Sequence, residues 1–216
     1  MTTLQDKLAT PYHEIDTELC HMMKAHGSDK GLGWHNYTTL YTLLFEELRH
    51  QPISFFEVGL GTNNTSIPSN MGPNGVPGAS LRGWQQYFDH PDTKIYGADV
   101  DTGILFHDRN IATFYVNQLQ GDTIKHMWSQ IPGEMDVILD DGLHTFEANW
   151  SFLQNSIHKL KKGGIYVVED LVQDTANRFR AKIEELRTTY NPSFIDVVVI
   201  PHSYNQADNV VFVMKL

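Results

Sequence analysis

The chain of 216 residues has one cysteine, Cys20, so an intrachain disulfide and a thiolate-rich metal centre are both excluded. Any metal must be held by oxygen or imidazole. Positive charge is also scarce: 16 Lys and Arg stand against 26 Asp and Glu, a formal charge of -10. Nonspecific binding to phosphate backbones rests on many Lys and Arg contacts with counterion release, so nucleic acid is not an expected partner. No run approaches 18 consecutive apolar residues, and the opening MTTLQDKLATPYHEIDTEL lacks the basic region and apolar core of a signal peptide. A cytoplasmic protein with no membrane partner is expected. Internal repeats, low-complexity tracts and a domain-splitting linker are missing too. That leaves residues 51–216 as one domain behind an N-terminal helical extension, 1–50, expected to serve as a lid or an oligomerisation arm.

What the sequence does contain is a series of short apolar, β-branched runs: 53–60, 94–100, 111–117, 135–141, 164–170, 194–200 and 209–216. Between them, ASLRGWQQYF, HTFEANWSFLQNSIHKLKK and QDTANRFRAKIEELRTTY place apolar residues three and four apart, the helical period. Alternating strand and helix predicts a doubly wound α/β sheet of seven strands, mostly parallel and covered on both faces. PHSYNQAD, between the last two runs, is too short and polar for a crossover helix, so the final strand is predicted antiparallel to its neighbour. This Rossmann-like sheet with an antiparallel last strand resembles the class I S-adenosylmethionine-dependent methyltransferase fold, over roughly residues 53–216.

The first strand ends in FFEVGLGTNN, a glycine turn without the third glycine of the GxGxxG fingerprint. Thr62 to Pro77, rich in Asn, Pro, Ser and Gly, reads as an insertion. Excising it joins Glu57, Gly59 and Gly61 directly to a helix that carries Ser80. Asp99 lies 38 positions beyond Gly61 in the chain but 22 once those 16 residues are removed. The shorter spacing suits a carboxylate that closes the second strand and meets a ribose hydroxyl. A nicotinamide or an S-adenosyl cofactor would each use such an acid. Glu57 separates them, because a carboxylate beside a pyrophosphate site would repel the anion, whereas S-adenosylmethionine carries an ammonium and a sulfonium. The competing role for Glu57 is a helix cap. The resemblance implies cofactor contacts from Glu57, Gly59, Gly61, Ser80 and Asp99, with Asp122 after the third strand at the adenine; Asp122 is equally read as an N-terminal helix cap.

VILDDGLH ends the fourth strand and VVEDL the fifth, so Asp140, Asp141, Glu169 and Asp170 converge on one crevice outside the carboxyl ends of the sheet. Mutual repulsion among them would be relieved by Mg²⁺ or a similar divalent cation, which prefers hard oxygen ligands. His144, three residues after Asp141, can overhang the pocket and accept a proton. Any one of these acids read singly could instead cap a helix. Together GASLRGW, DDGLH, VVED and the N-terminal HGSDKG resemble the metal-dependent sugar O-methyltransferases of macrolide biosynthesis. That resemblance implies Asp141, Glu169 and Asp170 as metal ligands, His144 with Asp141 as catalytic residues, Asp140 on the cofactor side, and a sugar diol as small-molecule acceptor. The chain departs from the pattern in lacking the large N-terminal region and in carrying the 62–77 insertion. A catechol-type or other tailoring methyltransferase, a cephalosporin-hydroxylase-like relative and a noncatalytic S-adenosyl-binding module stay open as alternatives. Trp34, Tyr37 and Tyr41 are read as cofactor cover or as one face of an N-terminal helix.

Overall fold

The computed structural model of the protein describes residues 16–203 and 205–216. The expectations placed on the first fifteen residues lie outside the described residues.

The sheet is built from β1 (Ser54–Val58), β2 (Lys94–Asp99), β3 (His107–Asp108), β4 (Ile111–Tyr115), β5 (Met135–Asp140), β6 (Leu160–Val168), β7 (Phe194–Val199) and β8 (Val210–Lys215). Its strand order is β3-β4-β2-β1-β5-β6-β8-β7. β1 lies centrally, parallel to β2 and β5, with Phe55 opposite Ile95 on one side and Val137 on the other. β8 inserts between β6 and β7, antiparallel to both, as a hairpin return requires. The seven expected strands are all present. The eighth is the two-residue β3, which turns back along the edge of β4 and carries too little apolar sequence to be read as a strand.

Among the described residues six α-helices cover the sheet: α1 (Glu18–His26), α2 (Tyr37–Phe45), α3 (Ala79–Tyr87), α4 (Gly121–Gln130), α5 (Phe146–Ser156) and α6 (Gln173–Tyr190). Strand residues alternate between two cores. Phe56, Val58, Ile138, Tyr166 and Val168 pack with α4, α5 and α6, while Phe55, Val137, Leu139, Ile165 and Val167 pack with α1, α2 and α3. This explains the continuous apolar runs, since a strand buried on both faces has no solvent side to alternate with. The helix expected over 144–162 ends at Ser156; a 3₁₀ turn, Ile157–Lys159, follows, and Leu160 already opens β6 opposite Met135. Leu160 continues the helical spacing of apolar residues, so periodicity alone placed it in the helix.

The insertion after Gly61 behaves as a true excursion. Gly78 N–H donates to the Leu60 carbonyl at 2.7 Å, closing the loop at its base, and α3 starts at the next residue. Glycine loop and helix are thus joined as the spliced sequence predicts.

Candidate active site

A cleft of about 210 Å³ opens at the carboxyl ends of β1, β2, β4 and β5, with Ile67, Pro68 and Ser69 of the insertion in its wall. Gly59 lies on its floor with φ of 93°, and a Cβ there would collide with the Asp141 carbonyl, so the glycine loop and the loop after β5 touch only because residue 59 is glycine. Asp99 closes β2 at the cleft, nearly buried. Its Oδ2 accepts from Leu60 N–H at 2.7 Å and its Oδ1 from Asp101 N–H at 2.8 Å, which fixes the carboxylate against the glycine loop. Burial raises its pKa above the ordinary carboxylate value.

The remaining predicted cofactor residues divide. Gly61 and Ser80 line a smaller neighbouring cavity together with Lys30, Met71 and Asp141. Asp122, in the first turn of α4, has a fully exposed side chain and is not part of the cleft wall; Asn117, Gln118 and Leu119 hold that wall instead. Asp140 is wholly buried beneath the cleft, where burial pushes its pKa up to about 6. It accepts from Gln118 Nε2 at 2.7 Å, and Gln118 Oε1 accepts from Leu143 N–H at 2.8 Å, so this amide ties the end of β5 to its loop. Gln118 was missed in the sequence because a lone polar residue after a strand carries no motif.

Beside the cleft the acids converge. Asp141 Oδ1 lies 3.2 Å from His144 Nε2, which is 3.5 Å from Asp170 Oδ2. Both His144 (φ 58°) and Asp170 (φ 54°) adopt left-handed backbone, a conformation uncommon for residues with a Cβ. Burial works against the charged imidazole, but Asp141 and Asp170 outweigh it and raise the His144 pKa to about 9. Glu169 is buried, with Tyr41 Oη donating to Oε1. Tyr37 Oη donates to Asp170, and the Tyr37 ring stacks on His35 with centroids 4.5 Å apart. Tyr41 is thus both a core residue and a partner of the acid cluster.

At the centre stands a residue that sequence reasoning did not single out. Lys30 Nζ lies 2.5 Å from Asp141 Oδ2, 2.5 Å from Glu169 Oε2 and 3.3 Å from Glu57 Oε1. Burial disfavours the ammonium, yet the carboxylates of Asp141, Glu169 and Glu57 hold its pKa well above the ordinary lysine value. Glu57, whose Oε2 accepts from Trp84 Nε1 at 2.9 Å, therefore meets a cation as the sequence suggested, but that cation belongs to the chain itself. Burial raises the Glu57 pKa to about 7 against the pull of Lys30.

The donor set fits a hard divalent cation in part. One ligand atom each from Asp141, His144 and Asp170 lie within 4.8 Å of one another, two of them carboxylate oxygens. Glu169, the third ligand implied by the resemblance, points its free oxygen at Lys30.

No family model matches the chain. It is 29% identical over 154 residues to 8-demethyl-8-(2-methoxy-alpha-L-rhamnosyl)-tetracenomycin-C 3'-O-methyltransferase of Streptomyces olivaceus, covering 71% of this chain and 37% of that protein. A second protein of the same organism, 8-demethyl-8-alpha-L-rhamnosyl tetracenomycin-C 2'-O-methyltransferase, is 30% identical over 146 residues, or 68% of this chain and 35% of its own length. The chain is similar over about two thirds of its own length to these two sugar O-methyltransferases. It spans little more than a third of the length of these curated relatives. Among solved structures, the MycE methyltransferase of the mycinamycin biosynthetic pathway, in complex with Mg and SAH, superposes with a TM-score of 0.70 at 21% identity, over 93% of this chain and 55% of that one. The chain thus has the class I methyltransferase fold, with the acid cluster and the cleft side by side at the carboxyl end of its sheet. Among its described residues no helix is long and apolar enough to cross a membrane.

Proposed function

We propose that the chain is an S-adenosylmethionine-dependent O-methyltransferase that methylates a hydroxyl of a sugar or sugar-bearing small molecule with the help of a divalent cation. The observation that carries this reading is the junction of two sites in one place. Asp141 lines the cleft and also stands beside His144 and Asp170. The curated relatives at 29–30% identity, whose names specify transfer to rhamnosyl hydroxyls, support the same chemistry.

In this reading Asp99, pinned by two backbone N–H groups, offers its remaining lone pairs to the ribose hydroxyls, and the bare backbone of Gly59 and Gly61 makes room for the rest of the cofactor. When bound, S-adenosylmethionine supplies the methyl group, and a cation held by Asp141 and Asp170 supplies charge that acidifies the attacking hydroxyl. His144 would accept the proton at Nε2. Asp141 and Asp170 flank that nitrogen and hold it as the imidazolium near neutral pH in the metal-free protein, so it would act as base only where a cation engages those carboxylates and lowers its pKa. Positioning the acceptor between His144 and the cleft converts a bimolecular encounter into an oriented transfer.

Calorimetric titration with S-adenosylhomocysteine tests the cofactor assignment: binding is expected to the native protein and to weaken about tenfold or more in Asp99→Ala. NADH binding without S-adenosyl binding would overturn it. With an α-L-rhamnoside acceptor, turnover should vanish in EDTA, return with Mg²⁺, and fall by roughly two to four orders of magnitude in His144→Ala with cofactor affinity intact. Full turnover in excess EDTA would remove the metal from the mechanism.

A further inference from the structure

Lys30 is a buried cation for which the proposed chemistry has no task. Only 2% of its surface is exposed, and its ammonium donates to Asp141 and Glu169 and forms an ion pair with Glu57 3.3 Å away. Two of them, Asp141 and Glu169, belong to the ligand set that the resemblance implies. The other oxygen of each is already committed, Asp141 Oδ1 to His144 and Glu169 Oε1 to Tyr41. The oxygens facing Lys30 are therefore the ones left to offer a metal. An ammonium and a divalent ion cannot both sit at contact distance from the same two oxygens, because like charges so close in a buried site repel strongly.

We propose that Lys30 is an internal cation that competes with the divalent ion for Asp141 and Glu169, and that the ion completes its ligand set only by displacing the Lys30 ammonium. The inference rests on the metal-dependent reading above. Lys30 is on this view a positioning residue: it holds the two carboxylates converged and neutralised before the metal arrives, and it sets the concentration at which the metal takes over. The local structure permits the exchange without unfolding. The Lys30 backbone is pinned, its carbonyl accepting from Thr38 N–H at 3.1 Å, and neighbouring Gly31 packs against Cys20. Only the four-carbon stem needs to move. Beside it lies the small cavity lined by Gly61, Met71 and Ser80, and Glu57 remains within reach as a partner for the displaced ammonium. A lysine head is a compact point charge on a flexible stem, suited to such a swing in a way that a forked arginine is not.

The test uses the full chain with Mg²⁺ alone as probe. In Lys30→Met the competitor is gone while most of the stem's volume remains, and calorimetry should show Mg²⁺ binding at least tenfold tighter than in the native protein. Mg²⁺ should also raise the melting temperature of the variant by more than that of the native protein, since Glu169 and Glu57 have then lost the ammonium that faced them. If the variant folds poorly without metal, the native protein carries the test by itself. Acetic anhydride should label Lys30 slowly in EDTA and several-fold faster in Mg²⁺, read by mass spectrometry against the exposed Lys125 as internal standard. Native Mg²⁺ binding with unchanged Lys30 labelling, or equal or weaker Mg²⁺ binding by Lys30→Met, overturns the displacement and leaves the metal-dependent reading standing. No Mg²⁺ binding by either protein removes both.

Discussion

Glu57 is a side chain whose need for a cation is plain from the sequence while the cation beside it, Lys30, is not. An acid inside an apolar strand calls for a cation, and the cation found is Lys30, with Trp84 Nε1 on the second oxygen. The cost of burying this carboxylate appears in its protonation. In the unfolded chain Glu57 titrates near the ordinary value of 4.5, and in the fold burial raises it to about 7, opposed by Lys30 and reinforced by the charge of Asp141. A raised carboxyl pKa means that the native state holds the proton more tightly, so this contribution to stability is complete below pH 4.5 and is lost as pH climbs through 7. Glu57→Gln cannot titrate. Denaturant unfolding of the two proteins from pH 4.5 to 8 should therefore show the native protein losing up to roughly 3 kcal/mol relative to the variant as pH rises. A constant difference across that range would mean that Lys30 fully compensates the ionised acid. The acids of the site were legible in the sequence because each closes an apolar strand. Lys30 was not, because its partners stand 111 and 139 residues away and nothing local marks a lysine that will be buried.

Among the elements, the insertion at 62–77 is where composition spoke most clearly. A glycine turn interrupted by Asn, Pro, Ser and Gly could be neither strand nor helix, and the bond from Gly78 N–H to the Leu60 carbonyl closes it as the splice requires. The start of β6 was illegible by the same method, since Leu160 satisfies a helical pattern and a buried strand position equally. Ile67, Pro68 and Ser69 wall the cleft, and Ser69 Oγ donates to the Leu143 carbonyl at 3.1 Å on the opposite rim. The insertion thus bridges the cleft, a placement that suits a flap over the cofactor or acceptor. Replacing 62–77 by a short glycine-containing link should leave the far-ultraviolet circular dichroism and cooperative melting intact, because the closing hydrogen bond survives and loop length costs little entropy. Affinity for S-adenosylhomocysteine should fall about tenfold with the loss of this apolar wall. Unchanged affinity and kinetics would reduce the insertion to a surface loop.

At the scale of the whole molecule, the alternation of strand and helix carried the sheet, its parallel centre and its antiparallel end, because burial on both faces leaves a periodic trace in every segment. How the first fifty residues attach left no such trace, since one amphipathic helix resembles another until its neighbour is known. Leu19, Met23, Tyr37, Leu40, Tyr41 and Phe45 from α1 and α2 all enter the core shared with Phe55, Trp84 and Phe88. Tyr41 and Phe45 lie edge-on to Trp84 with centroids 5.4 and 5.8 Å away, and a Cβ on Gly83 of α3 would run into Met23 Sδ, so α1 and α3 cross where only glycine fits. Burying six such side chains is worth on the order of 10 kcal/mol, comparable to the whole stability of an ordinary domain. The same segment delivers Lys30 to Glu57, Asp141 and Glu169, three buried or half-buried acids of which only Asp141 also faces His144. A lid that merely closes over a finished domain could be removed without loss of the fold; a segment with these contacts could not. Residues 51–216 expressed alone should therefore be insoluble or lack cooperative melting, while the full chain should unfold in one transition, coincident by tryptophan fluorescence and circular dichroism. A soluble 51–216 fragment with a sharp thermal transition would overturn this and return the first fifty residues to the role of a detachable extension.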